Sequence, residues 1–316
     1  MFDVVALGEV LIDFTQSGTS EAGMRLFEQN PGGAPANMLT AISRLGLKTG
    51  FIGKVGTDMH GQFLKHVLKE QNIDTSGLIM DPDTFTTLAF VELSESGERT
   101  FSFARKPGAD TKLCAEELNR EMLSQTKVFH FGSLSLTDEP CRTATYEAVQ
   151  EAKKAGAVIS YDPNYRALLW GSVEEAMKQM REPVPYVDVM KISDEETALL
   201  TGAEDPYEAS ARLIEQGVKI VVVTLGADGA LVRTKEGAAV VTGYSAKVVD
   251  TTGAGDSFWG GFISQLVASG KQPEKLTLEE LKSCVRFANA VASLCVTRRG
   301  AIPAMPTKEE VERRMA

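Results

Sequence analysis

Between residues 126 and 224 the sequence alternates short apolar runs with amphipathic segments, and this alternation limits the possible fold more than any other feature. The apolar runs lie at 128–131, 157–162, 187–192 and 219–224, and segments with helical spacing lie at 141–154, 173–181, 195–200 and 207–215. Strands that alternate with helices form βαβ units and lie parallel in one sheet. The pattern therefore predicts an α/β protein with a mostly parallel central sheet.

The N-terminal part begins with the same rhythm and then departs from it. Strands are predicted at 2–8 and 49–55, with helices at 34–45 and 58–71. Two β-rich segments follow directly, at 84–93 and 99–104, joined by a hairpin turn at 94–97. We expect one domain over 1–316, with a small β-rich lid formed by about 10–31 and 84–106.

Charge and composition exclude several classes of protein. The net charge of −10 argues against a nucleic-acid or anionic-membrane partner. The N-terminus, with an acidic third residue, is typical of a first strand and not of a signal peptide. No apolar run approaches the roughly 18 residues of a membrane helix. We therefore expect a cytoplasmic protein that acts on small molecules.

Cysteine and histidine spacing gives no sign of a protein-built metal site. Cys114, Cys141, Cys284 and Cys295 form no C-x-x-C pair, and H-E-x-x-H is absent. The cysteines are predicted to be reduced thiols. The Walker sequence, the G-x-G-x-x-G dinucleotide fingerprint and the G-x-S-x-G elbow are also absent, which argues against P-loop ATPases, dehydrogenases and α/β-hydrolases.

Polar and glycine-rich segments follow the predicted strands. They lie at 8–13, 32–33, 162–166, 193–196, 224–226 and 250–256. Ligands of open α/β sheets bind beyond the carboxyl ends of the strands. These segments are therefore predicted to build the binding site.

The sequence DTTGAGDSFWGG at 250–261 follows a β-prone run at 239–249 and precedes a predicted helix at 257–267. Small residues at 253–255 let consecutive backbone N–H groups point into one concavity, at the positive end of the helix dipole. Asp256 would repel an anion that was only held, but it could accept a proton from a nucleophile attacking phosphorus. The alternative is a plain N-cap aspartate.

Two signatures resemble those of the ribokinase-type (PfkB) family of carbohydrate kinases. DTTGAGDSF at 250–258 resembles the C-terminal signature, and GGAPAN at 32–37, continuing through RLG at 44–46, resembles the N-terminal one. Between them, in the family's order, lie GKVGTD at 53–58, DPNYR at 162–166, KISDEE at 191–196 and VTLG at 223–226. The resemblance covers essentially the whole chain and implies a ribokinase-like three-layer α/β/α fold with a lid.

Further segments resemble fructokinases within that family. They are GEVLIDF at 8–14, FHFGS at 129–133, TDEP at 137–140 and RGAIP at 299–303. The resemblance implies transfer of phosphate from ATP to D-fructose, giving D-fructose 6-phosphate. The nearest alternative is 2-keto-3-deoxygluconate kinase, followed by ribokinase and nucleoside kinases. From other classes, an inactive sugar-responsive regulatory protein and a nucleotide-dependent oxidoreductase remain as alternatives.

The resemblance also assigns roles around the sugar. It makes Asp256 the catalytic base and gives the anion hole to the amides of Gly253, Ala254 and Gly255. It makes four residues sugar contacts: Asp13, Gly32, Gly33 and Asn37. Arg105 and Arg166 are candidates for sugar or phosphate contacts, with an ordinary surface arginine as the alternative for each.

On the nucleotide side, the resemblance implies a phosphate loop at Thr224, Gly226 and Gly229. Asn289 would close the adenine pocket, or else form an interhelical hydrogen bond. Mg²⁺ would accompany ATP, with Glu196 ordering its water. Ser193 stands where many members have asparagine, which weakens any direct phosphate contact there.

Potassium is implied as an activator. Asp250 and Thr252 match the acidic end of a monovalent-cation loop, and Gly300 matches its return segment. Ala304 falls where some relatives have a serine oxygen, so we expect one cation ligand to be lost.

A homodimer is predicted through the lid. Its hairpin carries many apolar side chains for a solitary flap, namely Phe85, Leu88, Phe90, Phe101 and Phe103. The alternative is that they pack on the main domain.

Overall fold

The computed structural model of the chain describes residues 1–93 and 99–316. Within them, nine strands form one sheet in the order β13-β12-β11-β10-β9-β8-β1-β4-β5. The strands are β1 Phe2–Leu7, β4 Thr49–Gly56, β5 Ile73–Asp81, β8 Thr126–Gly132, β9 Val158–Asp162, β10 Val189–Ser193, β11 Ile220–Thr224, β12 Ala230–Thr234 and β13 Gly237–Val241. All neighbouring strands are parallel except β11–β12 and β12–β13, the two antiparallel pairs at one edge of the sheet.

Helices cover both faces of this sheet because its strands are apolar on both sides. The helices are α1 Ala34–Arg44, α2 Met59–Glu70, α3 Arg120–Ser124, α4 Cys141–Lys154, α5 Val173–Arg181, α6 Thr197–Thr201, α7 Pro206–Glu215, α8 Ala254–Ser269, α9 Leu278–Cys295 and α10 Lys308–Met315. In β1, Val4 and Ala6 join the core shared with α1, α2, α8 and α9. Val5 and Leu7 join the core shared with α3 to α7. The alternation within one strand thus produces the three layers.

A second, smaller sheet lies beside the main one. Within the described residues it has four strands in the order β3-β2-β6-β7: β2 Leu11–Thr19, β3 Arg25–Gly32, β6 Leu88–Leu93 and β7 Arg99–Ala104. The pairs β2–β3 and β6–β7 are antiparallel, whereas β2–β6 is parallel. The small sheet is therefore made of two hairpin-like insertions, one following β1 and one following β5.

The predicted α/β class with a mostly parallel sheet and a small β lid is confirmed. The small-sheet strands fall almost entirely within the ranges predicted for the lid, whereas the division into one domain over 1–316 stays a prediction. The turn predicted at 94–97 lies outside the described residues.

Three predicted boundaries are wrong. The β-prone run at 239–249 is a strand only to Val241. The segment at 84–93 becomes a strand only at Leu88, because the amide and hydroxyl of Thr86 both donate to Asp58 and hold the preceding stretch as a loop. The helix predicted from Ser257 begins at Ala254, since Gly253 takes a left-handed φ of 76° at its N-cap.

Strand order reverses around β1, with β4 and β5 on one side and β8 to β11 on the other. Such a reversal opens a crevice beyond the carboxyl ends of the strands. Among the described residues, no helix combines the length and apolar character needed to span a bilayer.

Candidate active site

A cavity of about 630 Å³ lies at this crevice, between the main sheet and the small one. From the main sheet, the cavity is lined by residues that follow its strands: Glu9 after β1, Leu134 after β8, and Asn164 and Arg166 after β9. Lys191, within β10, lines it as well. The small sheet contributes one face, with Leu11, Asp13, Thr15, Asn30, Val91 and Phe103. The cavity is thus closed by both of the structures predicted to build it.

The N-terminus of α8 forms one wall of the cavity, with Gly253, Ala254, Gly255 and Asp256 all lining it. A Cβ on Gly253 would lie 2.8 Å from that of Ala301, so the turn needs glycine for both conformation and space. The Ala254 amide donates to the Thr251 carbonyl oxygen at 3.2 Å. The amides of Gly255 and Asp256 lie in the first turn, where helical geometry supplies no acceptor. The last two are placed to receive an anion.

Asp256 faces the cavity and is held by α1. Its Oδ2 accepts a hydrogen bond from Asn37 Nδ2 at 2.8 Å. Burial raises the pKa of Asp256 above its usual range; the Asn37 bond and Lys191 oppose this rise, and the Asp162 carboxylate adds to it. A carboxylate with a raised pKa is a better proton acceptor once ionised. Asp256 lies in the first turn of α8, whose N-cap is Gly253, so it is not the plain N-cap aspartate of the alternative.

Asp13 enters the cavity from β2, on the side of the small sheet. Burial raises its pKa to about 6, with Arg166 opposing and Asp256 adding to the shift. A Cβ on Gly32 would overlap Asp13 Oδ2, and one on Gly33 would lie 2.5 Å from the Glu9 carbonyl oxygen. Gly32 therefore leaves room for the Asp13 carboxylate, and Gly33 lets the chain before α1 approach the backbone of Glu9.

Glu9 is a cavity residue to which the sequence prediction gave no role. It is 3% exposed, and its Oε1 accepts from the Ala34 amide at 2.9 Å, capping α1. Burial raises its pKa to about 7, while the Ala34 hydrogen bond and Arg105 act in the opposite direction. Its position directly after a buried strand was the available signal.

The sequence prediction also gave no role to Lys191 and Asp162, although the motifs that contain them, at 191–196 and 162–166, were recognised. Lys191 Nζ donates to Asp162 Oδ2 at 2.7 Å, and both side chains are buried. Burial lowers the pKa of Lys191, but Asp162, Glu196 and Asp256 outweigh it and raise the pKa above the usual value. A lysine inside the apolar run of β10 was the signal for this pair.

Arg105 does not line the cavity, contrary to the contact predicted for it, and it is not a surface residue either. It is 5% exposed, and its guanidinium is bound by Asp110, by the Thr137 hydroxyl and by the Leu134 carbonyl oxygen. Because Leu134 lines the cavity, the hydrogen bond from Arg105 to its carbonyl oxygen stabilises the cavity wall. Arg166 is exposed, lines the cavity and donates to the Tyr165 carbonyl oxygen.

Glu196 lies next to the cavity but not on its wall. Its two carboxylate oxygens accept from the amides of Ser193, at 2.8 Å, and Tyr165, at 2.7 Å. The Ser193 side chain accepts in return from the Glu196 amide, forming a capping box. Ser193 and Glu196 thus fix the turn between β10 and α6, and the remaining carboxylate lone pairs can still accept from water.

The residues predicted for the nucleotide cluster further along the same edge of the sheet. Thr224 ends β11, and Gly226 and Gly229 both have left-handed φ values in the turn before β12. Asn289 donates to the carbonyl oxygens of Val241 and Thr242, at 3.1 and 3.2 Å. Among the described residues, the hydrogen-bond partners of Asn289 therefore lie at the end of β13 and directly after it, and not on another helix.

The residues predicted for a monovalent cation come together. Asp250 Oδ1 accepts from the Thr252 amide and hydroxyl, at 2.9 and 2.7 Å, and Oδ2 accepts from the Gly300 amide at 3.0 Å. One carboxylate therefore joins the loop before α8 to the segment after α9. Ala304 is fully buried in an apolar cluster with Ala41, Cys295, Ala301 and Met305 and supplies no side-chain oxygen.

Fold and cavity together define a class of protein. A carboxylate proton acceptor, unpaired amides at a helix N-terminus and a buried ammonium surround a space that the small sheet shields from water. This set is suited to phosphoryl transfer to a hydroxyl group, which requires positioning and charge neutralisation.

The family follows from comparison with known proteins. The model described as pfkB family carbohydrate kinase matches residues 1–308, and the chain belongs to that family. A curated relative, "Probable fructokinase-6, chloroplastic" of Arabidopsis thaliana, is 45% identical over 314 residues, covering 98% of this chain and 81% of the relative. The predicted family membership is confirmed.

Solved structures with the same fold include fructokinases. One from Xylella fastidiosa with bound ATP superposes with a TM-score of 0.93 at 33% identity, covering 100% of this chain and 98% of that one. A fructokinase double mutant from Vibrio cholerae O395, with bound fructose, ADP and potassium ion, has a TM-score of 0.89 at 33% identity and coverage of 100% and 99%.

Proposed function

We propose that this protein phosphorylates D-fructose at O6 with ATP, releasing ADP. The observation that carries the proposal is the opposition of two carboxylates across one cavity. Asp256 stands at the N-terminus of α8, and Asp13 stands on the small sheet. Asp13, with the neighbouring Asn37 amide, offers hydrogen-bonding groups to a neutral polyol. The relatives named fructokinases support the choice of sugar.

In the proposed reaction Asp256 accepts the proton of the sugar hydroxyl as that oxygen attacks phosphorus. The bond between the γ-phosphorus and the ADP oxygen breaks, and the first-turn amides of α8 hold the phosphoryl oxygens. The small sheet excludes water, which would otherwise compete with the sugar. General-base action contributes about 10²–10⁴-fold.

Mg²⁺ would accompany ATP, held through phosphate and water. Two carboxylates suit that role: Asp162 Oδ1 is buried without a hydrogen-bond partner among the described residues, and Glu196 acts on the same Lys191 ammonium as Asp162. Oxygen donors and retained waters are what Mg²⁺ prefers. When bound, the ion neutralises phosphate charge. The described residues contain no group of three or more His, Cys, Asp or Glu side chains placed to hold a metal ion directly.

K⁺ activation is part of the proposal. The Asp250 carboxylate already joins the two segments that would surround the ion. A related fructokinase was solved with potassium ion. Since Ala304 supplies no side-chain oxygen, we expect the activation to be moderate.

The experiment is one panel of acceptors under a single condition with ATP and Mg²⁺: fructose, 2-keto-3-deoxygluconate, ribose, glucose and adenosine. We expect the highest kcat/KM for fructose, with the product identified by mass as its 6-phosphate. Ionised Asp13 repels the acid group of 2-keto-3-deoxygluconate, and Arg166 offsets only part of that charge. A higher kcat/KM for any other acceptor would refute fructose, and no ADP release with any of them would refute the kinase.

A homodimer through the small sheet is also proposed. One face of this sheet carries an aromatic cluster in which Phe14 stacks on Phe90 at 5.3 Å and Phe27 meets Phe90 edge-on at 6.1 Å. Phe14 also meets His60 of α2 edge-on, so part of the cluster packs on the main domain, as the alternative held. Phe85 is 54% exposed beside the cluster. Exposed contiguous aromatic groups mark interaction surfaces. Phe103 instead lines the cavity, and the Phe101 side chain lies outside the described part of the chain.

We keep the cytoplasm as the proposed compartment. All four cysteines are free thiols, as a reducing environment favours. Because one relative is named chloroplastic, fractionation of the native host is the deciding measurement.

A further inference from the structure

Lys191 is a buried ammonium on the cavity wall, next to the helix N-terminus that carries the base. It is 5% exposed and lines the same cavity as Gly255 and Asp256. Its Nζ would lie 3.2 Å from a Cβ built on Gly255, so the ammonium lies directly over the first turn of α8. This proximity explains why residue 255 is glycine: a larger side chain would push the ammonium away from the helix.

One of the three ammonium protons is used within the chain. Among the described residues, the hydrogen-bond partner of Nζ is Asp162 Oδ2 at 2.7 Å. Asp162 Oδ1 has no partner in the same part of the chain. Asp162 therefore fixes the direction of the ammonium, which keeps donors for a ligand in the cavity.

A buried lysine so close to an anion-binding helix end has a clear electrostatic consequence. Two positive sources, the helix N-terminus and the ammonium, converge on one point of the cavity wall. Three carboxylates act on the ammonium, namely Asp162, Glu196 and Asp256, and of these Asp256 lines the cavity. An anion bound at this point would be stabilised by donors that need no rearrangement.

We propose that Lys191 is a catalytic residue that binds the phosphoryl group during its transfer, with Asp162 as its positioning residue. The inference rests on the proposed kinase function. In the step, the bond from phosphorus to the ADP oxygen breaks and the bond to the sugar oxygen forms. The hydroxyl proton goes to Asp256, and Lys191 keeps its own proton throughout.

The first test compares Lys191→Met with a matched control, Lys54→Met. Lys54 is also a buried strand lysine, 8% exposed, and it is paired with Glu117 at 2.8 Å, but it does not line the cavity. We expect Lys191→Met to lower kcat about 100-fold or more, as loss of an oxyanion donor does. Lys54→Met should keep kcat within about threefold. Equal losses in the two variants would overturn the proposal.

The double variant Lys191→Met with Asp162→Asn guards against misfolding. Removing one partner of a buried pair leaves an uncompensated charge, whereas removing both does not. The double variant should fold, as judged by its melting temperature, and should stay at least about 100-fold slow. Because Asp162 is also a proposed magnesium carboxylate, the diagnostic readings are its melting temperature and any recovery of kcat. Recovery of wild-type kcat in the double variant would also overturn the proposal.

A pH profile separates contact with phosphate from tuning of the base. Lys191 faces Asp162, Glu196 and Asp256, and it also acts on the buried His130. If the ammonium only tuned the pKa of Asp256, kcat of Lys191→Met would return to the wild-type value at alkaline pH. We expect the deficit to persist across the profile, and full recovery would contradict our proposal.

Binding of ADP with beryllium fluoride, a mimic of the transferred phosphoryl group, needs no sugar. By calorimetry, Lys191→Met should lose about tenfold or more in affinity for ADP–beryllium fluoride and bind ADP alone as the wild type does. If Lys191→Met shows this selective loss of affinity but the wild-type enzyme is inactive on fructose, fructose is refuted as the substrate and the role of Lys191 is retained. Equal binding of the mimic would refute that role, and wild-type protein that binds neither form would refute the kinase.

Discussion

Asp256, the proposed base, owes its properties to its neighbours. Asp256 is oriented by a donor from α1 and sits among groups of both signs, so its position and its protonation are set by different residues. Asn37 fixes where the carboxylate points. Burial, with Lys191 and Asp162, determines how readily it takes a proton. Substitutions can therefore separate geometry from chemistry.

Asp256→Asn should lower kcat at least about 100-fold, because the amide keeps the shape and cannot accept the proton. ATP and sugar should still bind, which calorimetry can show. The exposed Asp74→Asn is a matched control and should leave kcat unchanged. Retention of more than about a tenth of the wild-type kcat would rule out general-base action by Asp256.

Glu9→Gln should change how stability depends on pH. The pKa of Glu9 is raised from 4.5 to about 7 in the folded protein, so the folded state keeps a proton that the unfolded chain loses. This contribution is fully present below about pH 4.5 and is lost as pH rises through 7. It amounts to at most about 3 kcal/mol.

The measurement is the difference in unfolding free energy between Glu9→Gln and wild type, from denaturant titrations at acidic and neutral pH. Taking the difference removes the similar contribution of Asp13, which is common to both proteins. The variant should gain relative to wild type as pH rises. A difference that does not change with pH would contradict the assignment, and the exposed Glu215→Gln should show none.

At this scale the sequence predicted residues with recognised roles and missed their partners. Asp256 and Asn37 are named by the signatures, and the structure joins them. Three charged residues lie in or directly after buried strands: Lys191, Asp162 and Glu9. The sequence alone does not show which other residues these side chains contact. Only the sheet order brings Glu9 and Lys191 to one cavity and Asp162 against Lys191, and that order depends on contacts distant in sequence.

At the scale of elements, the loop before α8 and the segment after α9 act as one unit through Asp250. The Asp250 carboxylate accepts hydrogen bonds from the amides of Thr252 and Gly300, and α8 begins four residues after Asp250. Ordering this unit should order the amides that receive phosphate. The proposed cation response would therefore be a property of the two joined segments and not of any one ligand.

We expect kcat to be several-fold higher in potassium than in choline chloride at equal ionic strength. Asp250→Ala should abolish the difference, since the two segments are then no longer joined. The assay is ADP release at saturating fructose and ATP. Equal rates in sodium, potassium and choline salts would reject the cation site.

Element boundaries were predicted well where periodicity is strong and poorly where single residues decide. Helices α4 and α5 have the predicted bounds. The run at 239–249 is rich in valine and is predicted as one strand, but the strand ends at Val241. There Asn289 Nδ2 donates to the carbonyl oxygens of Val241 and Thr242. β-propensity depends on a neighbouring strand, which residues 242–249 lack in the described structure.

At the scale of the whole molecule, the small sheet has two faces with different tasks. One face closes the cavity with both polar and apolar side chains, and the other carries the cluster of Phe14, Phe27 and Phe90. A dimer joined through the second face would support the first, so assembly and activity should be coupled.

We expect a dimer by light scattering at micromolar concentration and a monomer for Phe85→Asp, because the charge cannot be buried unpaired. Tyr207→Asp is the matched control: Tyr207 is 49% exposed on α7, far along the chain from the small sheet. It should leave the dimer intact. A wild-type monomer at that concentration would reject the dimer.

The hydrogen bond between Asn37 and Asp256 joins residues 219 positions apart. On the ribosome, at about 5–20 residues per second, roughly 10–40 s separate the synthesis of these two residues. During that interval the growing chain carries Asp13 and Asn37 but neither the base nor the amides of α8. A nascent chain that has passed Asn37 can therefore begin to form the small-sheet side of the cavity, but the cavity stays incomplete until residue 256 has been synthesised and has reached Asn37.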